Sequence, residues 1–131
     1  MSLDIPSIQE TNGEGMRFAI IAARYNEVLV DSLVKHATAT LTASGAQAPI
    51  VERVPGAMEL PSAAAILAEA EDLDAIIVIG VVIAGDTNHH NIIGHSTAIT
   101  LQNLSLKTGL PIINGILVVN NLAQAEARAG T

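Results

Sequence analysis

Residues 74–83, Asp-Ala-Ile-Ile-Val-Ile-Gly-Val-Val-Ile, decide the fold. A short, nearly unbroken run of β-branched residues, too brief for a buried helix, reads as a strand covered on both faces. Working upstream, Leu60–Ala70 is Ala-rich, with Pro61 tolerated in a first helical turn. Pro49–Val54 is a second strand. Glu27–Ser44 places Val30, Leu33, Val34, Ala37 and Leu41 at helical spacing, with Gly45 as a stop. Arg17–Arg24 (RFAIIAAR) is another buried strand. Working downstream, Asn91–Thr108 is a helix closed by Gly109 before Pro111, Ile112–Val118 is a strand, and Leu122–Ala129 opens a last helix. Strand and helix alternate four times. That pattern predicts a parallel sheet with right-handed crossovers: a three-layer, doubly wound α/β domain of about four strands. Ligands of such sheets bind beyond the carboxyl ends of the strands.

Composition limits the function. The 131 residues suit one domain, read as a flexible arm over 1–15 and a single domain over 16–131. Half the residues are hydrophobic, but Phe18 and Tyr25 are the only Phe, Tyr or Trp rings. A net charge of -7, with 13 acidic and 6 basic residues, argues against nucleic acid. There is no cysteine, which removes disulfides and thiolate-bound metals. The longest uncharged apolar run, residues 75–85, is about half a membrane span, so no membrane is expected. The first 15 residues lack the basic start and apolar stretch of a signal peptide, and a cytoplasmic location is expected.

The segments after the strands carry the chemistry. Tyr25, followed by Asn26, could stack on a flat heterocycle or cap the edge of the core. Val54–Pro61 (VPGAMELP) is a turn in which Gly56 allows close backbone approach. There Glu59 could accept hydrogen bonds from a polyol, or serve as a helix-start carboxylate. Residues 85–91, GDTNHHN, form the densest polar cluster. A turn into a helix N-terminus offers backbone N–H groups to a phosphate, and Thr87 adds a hydroxyl. Asp86 would have to contribute only its backbone. Imidazoles at 89 and 90 can transfer protons near neutral pH. With His95 they could suggest a metal, but no acidic triad or HExxH-type spacing supports one, and no metal is expected. His36 is expected to face solvent from mid-helix. Arg128 is either a solvated helix-end cation or a phosphate clamp reaching a neighbouring subunit.

Three segments, RFAIIAARYNE (17–27), VPGAMELP (54–61) and GVVIAGDTNHHNII (80–93), resemble the lumazine synthase family. Residues 106–130 are similar to its fourth strand and following helix. The resemblance implies a flavodoxin-like sheet and a transferase of riboflavin biosynthesis. The reaction would condense 5-amino-6-(D-ribitylamino)uracil with 3,4-dihydroxy-2-butanone 4-phosphate, giving 6,7-dimethyl-8-ribityllumazine, phosphate and water, without a cofactor. Residue by residue, it implies that Tyr25 stacks on the pyrimidine, with Asn26 beside it as a further substrate-binding residue. Ala57, Met58 and Glu59 hold the ribityl chain and uracil, and the backbone of Val81, Val82 and Ile83 faces the uracil. Gly85, Asp86 and Thr87 bind phosphate, and His89 moves protons. Asn114 and Arg128 act from an adjacent subunit, Asn114 lining the ligand and Arg128 binding its phosphate. Pentamers, decamers or sixty-subunit shells are the implied assemblies, with riboflavin synthase as a candidate partner.

The chain also departs from the family pattern. Ala84 stands where Arg or Lys is common, and Met58 and Asn114 stand where Phe is common. Asn88 and His90 flank the histidine in place of Pro and an aromatic residue, and Val118–Asn121 replaces a Thr-rich turn. The family usually continues past residue 131 with a loop and helix. A truncated copy or a short branch is therefore expected, with some sheet surface left apolar unless a neighbour covers it. The competing readings are a non-catalytic ribityllumazine or flavin binder, a structural shell subunit, and a signalling or electron-transfer domain. The last would need an acidic pair or a Ser/Thr/Gly phosphate loop after the first strand, and neither is present.

Overall fold

The structure, a computed structural model, describes residues 3–130. Four strands, β1 (Phe18–Ala23), β2 (Ile50–Val54), β3 (Ala75–Ile83) and β4 (Ile112–Val119), form one parallel sheet in the order β2-β1-β3-β4. Between and after them run α1 (Glu27–Ala43), α2 (Leu60–Ala70), α3 (His89–Thr108) and α4 (Leu122–Ala129). A 3-10 turn, Ala57–Glu59, precedes α2.

The two-residue period of the strands divides the core in two. On β1, Ile20 and Ala22 pack with Leu29, Val30 and Val34 of α1, Ile79 and Val81 of β3, and Ala125 and Ala129 of α4. On the opposite face, Ala19 and Ile21 pack with Ile76 and Val78 of β3, Leu60 and Ala64 of α2, and Leu101 of α3. Both faces of β1 and β3 are therefore dry, which is why the run at 74–83 carries no polar alternation. Fully burying a side chain such as Ile20, Ile76 or Leu101 contributes about 1.5–3 kcal/mol. A close approach explains Gly115 on β4: a Cβ there would lie 2.6 Å from the Val78 carbonyl oxygen.

The expected and observed elements agree in number, type and order, and the bounds of α2 and α4 coincide with those read from the sequence. The clearest difference is that α3 begins at His89 rather than Asn91. The Asn88 carbonyl accepts the N–H groups of Asn91 (3.1 Å) and Ile92 (3.4 Å), so the helix opens inside a run whose composition reads as loop, and the Thr87 hydroxyl accepts the His89 N–H at 3.3 Å just before it. Strand β2 starts one residue later than expected because Pro49 has no N–H to place in a ladder, and Ile50 makes the first pairing, with Ala19. Upstream of the sheet, residues 4–13 form neither helix nor strand, and Leu3, Ile5 and Ile8 are exposed. The chain is tied down from Gly13, whose N–H donates to the Ser44 carbonyl at 2.8 Å. Among the described residues no helix is long and apolar enough to cross a membrane.

Candidate active site

Strand β1 connects to β2 on one side through α1, whereas β3 leads to β4 on the other through α3. The connections thus step outward in opposite directions from β1 and β3, which opens a crevice at the carboxyl ends of these two parallel strands. Three loops converge there.

The first is Arg24-Tyr25-Asn26. The Arg24 N–H donates to the carbonyls of Val54 (2.9 Å) and Pro55 (3.1 Å), and the Tyr25 N–H to that of Pro55 (3.3 Å). These bonds tie the loop to the end of β2. Tyr25 is 73% exposed, yet one ring edge is held: a Cβ on Gly56 would lie 3.3 Å from Tyr25 Cδ2 and 3.4 Å from Cε2. Asn26 has φ 58° and ψ 50°, and its amide donates to the Val81 carbonyl at 2.8 Å.

The second loop is Pro55–Glu59. Gly56 is extended (φ -143°, ψ 178°), a conformation open to any residue, so its smallness serves the Tyr25 contact rather than the turn. The Glu59 N–H donates to the Gly56 carbonyl at 3.2 Å, closing the 3-10 turn. Leu60, fully buried, anchors the start of α2 and leaves Met58 and Glu59 exposed at the rim. The Glu59 carboxylate takes part in no salt bridge among the described residues, so both oxygens remain available to a hydroxylated ligand.

The third loop follows β3. Its end stays paired to β4, with the Ala84 N–H donating to the Val119 carbonyl at 2.9 Å. Gly85, Asp86, Thr87 and Asn88 are exposed, and a side chain at Gly85 would meet nothing within 4 Å. His89, in the first turn of α3, reaches back to the crevice.

The first two loops, the end of β3 and the first turns of α3 line a cavity of about 370 Å3. Nine residues named from the sequence lie in its wall: Tyr25, Asn26, Ala57, Met58, Glu59, Val81, Val82, Ile83 and His89. Ala23, Gly56 and Ile93 complete it. The sequence carried a signal for each of these three. Ala23 ends the first apolar run, Gly56 sits in the Pro-Gly turn, and Ile93 lies one helical turn after His89 on the same face. Gly85, Asp86 and Thr87, in the loop between β3 and α3, are not among its lining residues. Asn114 lies halfway along β4, paired with Val78, and its side-chain oxygen accepts the Ile116 N–H at 3.0 Å. Arg128 stands exposed in the last turn of α4, on the sheet face shared with α1, where Ser32 Oγ donates to the Ala129 carbonyl at 2.7 Å. A single chain therefore does not bring Asn114 or Arg128 to the cavity.

The wall combines an apolar floor from the strand ends, an exposed ring, one carboxylate and one imidazole. That set suits a flat, hydroxylated organic ligand and proton transfer beside it. Among the described residues, no three His, Asp or Glu side chains are grouped so as to hold a metal ion.

A model of the 6,7-dimethyl-8-ribityllumazine synthase family matches residues 15–131. The chain is 44% identical over 120 residues to the 6,7-dimethyl-8-ribityllumazine synthase of Aquifex aeolicus (strain VF5), an alignment covering 90% of this chain and 78% of that one. It is 46% identical over 119 residues to the enzyme of the same name from Stenotrophomonas maltophilia (strain K279a), with 89% and 77% covered. Against that of Methylobacterium radiotolerans it is 43% identical over 115 residues, with 88% and 70% covered.

Proposed function

The chain belongs to the 6,7-dimethyl-8-ribityllumazine synthase family, and from that premise we propose that the strand-end cavity is where its reaction takes place. The activity is a transferase step of riboflavin biosynthesis. It joins 5-amino-6-(D-ribitylamino)uracil to 3,4-dihydroxy-2-butanone 4-phosphate and releases 6,7-dimethyl-8-ribityllumazine, phosphate and two waters. The observation that carries the siting is convergence. Nine residues from the segments after β1 and β2, the end of β3 and the start of α3, named for one ligand from the sequence and its family resemblance, share one cavity between β1 and β3.

In this reading Tyr25 stacks on the pyrimidine, while Ala57, Met58 and Glu59 hold the ribityl chain, with Glu59 accepting its hydroxyls. The backbone of Val81–Ile83 meets the uracil. The butanone phosphate sits against the Gly85–Thr87 backbone and the Thr87 hydroxyl, at the N-terminal end of α3, where the helix dipole favours an anion. The uracil's amine attacks the ketone, water leaves and an imine forms. Phosphate then departs by elimination, the enol left behind becomes a ketone, and the second amine adds to that carbonyl and closes the ring as a second water leaves. His89, at the junction of the heterocycle and phosphate subsites, moves the protons these steps require. Holding two reactants in register supplies much of the rate.

Arg128 and Asn114 complete the site from a neighbouring copy, since each is exposed and remote from its own cavity. The working form is thus a homo-oligomer, pentameric or built from pentamers, and its place is the cytoplasm. The test is to incubate the protein with both substrates and follow lumazine absorbance and inorganic phosphate together. Equimolar appearance of both is expected. Tight binding of a ribityl heterocycle with no turnover would favour the non-catalytic binder instead.

A further inference from the structure

Asn26 is the only non-glycine residue with positive φ among those described. It occupies the position before α1 where an Asn normally caps the helix by accepting a backbone N–H. Here the side chain makes no capping bond. Its amide donates instead across the sheet to the Val81 carbonyl.

The pairing pattern explains what that bond replaces. Strand β1 runs beside β3 only as far as the Ala22–Ile79 pair, whereas β3 continues to Ile83, held by β4 alone. In a parallel ladder successive residues address opposite neighbours. The Ala84 N–H donates to Val119 of β4, so Val81 and Ile83 turn their backbone groups toward the side that β1 has vacated. That side is the cavity. The amide of Asn26 fills the first vacated position, at Val81, and leaves Ile83 facing the crevice. The same residue's left-handed backbone turns the chain from β1 into α1 immediately after Tyr25, whose ring lies against Gly56.

We infer that Asn26 is a positioning residue whose amide stands in for the strand that β1 ceases to provide. It locks the Tyr25 loop to the end of β3, so that the ring and the Ile83 backbone hold the heterocycle in one register. The claim deepens the synthase reading and rests on it for its kinetic part. It assigns Asn26 to the loop's geometry rather than to contact with the substrate.

Two variants separate the backbone requirement from the amide. Asn26→Gly keeps the positive φ at no steric cost and removes only the side chain. Asn26→Asp keeps shape and left-handed tolerance but sets an acceptor against the Val81 carbonyl. Each is compared with the unmodified protein by steady-state kinetics and by time-resolved tyrosine anisotropy without ligand. Tyr25 is the only tyrosine and tryptophan is absent, so the emission reports one ring. Losing one hydrogen bond that orders the site is expected to lower kcat about tenfold, with Asn26→Asp at least as low as Asn26→Gly, and the Tyr25 anisotropy should decay faster in both. A raised KM with unchanged kcat and unchanged anisotropy would place Asn26 on the substrate and overturn the claim. So would normal kinetics with a lowered Tm, the mark of a merely structural contact. If the unmodified protein makes no lumazine, the synthase reading fails, and the anisotropy of the free variants still decides whether Asn26 orders the ring.

Discussion

Replacing Gly56 by Ala separates what the turn needs for folding from what the site needs for binding. The backbone at Gly56 is extended, so Ala adopts it without strain. The substitution also removes unfolded-state freedom, which stabilises by about 0.4–1 kcal/mol. Against this, the new Cβ would stand 3.3 and 3.4 Å from two carbons of the Tyr25 ring, a few tenths inside ordinary contact. Overpacking in a core costs about 1–3 kcal/mol, but this ring is mostly exposed and free to move. The two effects offset, and net stability should change by less than about 1 kcal/mol, a Tm shift of a few degrees. Binding has no such relief. If a 1 Å misplacement costs on the order of 100-fold in rate, a ring displaced by about a third of that costs about fivefold in kcat/KM for the uracil substrate. Urea unfolding followed by circular dichroism gives the first quantity, and initial rates at limiting substrate give the second. Unchanged kcat/KM in a stable variant would refute the idea that Tyr25 meets the substrate where it now rests. A loss of more than about 2 kcal/mol would show that the small residue serves the fold instead.

Three other perturbations have defined outcomes. Gly115→Ala would drive a Cβ to 2.6 Å from the Val78 carbonyl oxygen. Backbone cannot swing aside, so β3 and β4 must part, and denaturant melts should show a loss of about 1–3 kcal/mol or more. Asn121→Ala removes the side chain that accepts the Gln124 N–H at 2.9 Å at the start of α4, and should cost about 1 kcal/mol in the same assay. Because that helix carries Arg128, activity should fall along with stability. Chains bearing His89→Ala and chains bearing Arg128→Ala should each be nearly inactive alone. Mixed into common assemblies, they should recover activity in proportion to sites that draw each residue from a competent copy. No recovery in assemblies shown to be mixed would count against sharing across subunits.

The fold was legible because its signals are redundant. In β1 and β3 both faces are buried, so the apolar runs are unbroken, and the Gly and Pro stops around α2, α3 and β4 fall where the chain turns. The strand order was not legible, since alternating strands and helices fix parallel pairing but not the direction in which each crossover steps. The start of α3 was not legible because His89 and His90 look like loop by type, while the bonds that open the helix, from the Asn91 and Ile92 N–H groups to the Asn88 carbonyl, are a matter of local geometry. At the candidate site, residue type and position after a strand pointed to Tyr25, Glu59 and His89, whereas Asn26, Ala57, Met58 and Val81–Ile83 were named only through the family resemblance. The relations among them did not show. Nothing in the letters Tyr-Asn indicates that Asn26 is left-handed or that its amide crosses to Val81, and the Pro-Gly turn does not disclose that Gly56 is small for the sake of a ring 31 residues upstream. Asn114 and Arg128 lie beyond what one chain's geometry can join.

The most direct measurement is the turnover of the unmodified protein beside His89→Ala, with both substrates saturating and product followed by absorbance. His89 sits at the cavity wall in the first turn of α3 and is exposed, so its removal should leave the fold and the Tm essentially unchanged. Loss of a positioned acid–base group is expected to lower kcat by about 100-fold, with the heterocycle still quenching Tyr25 emission on binding. An undiminished kcat in the variant would contradict the account, because the chemistry would then lie somewhere other than this cavity.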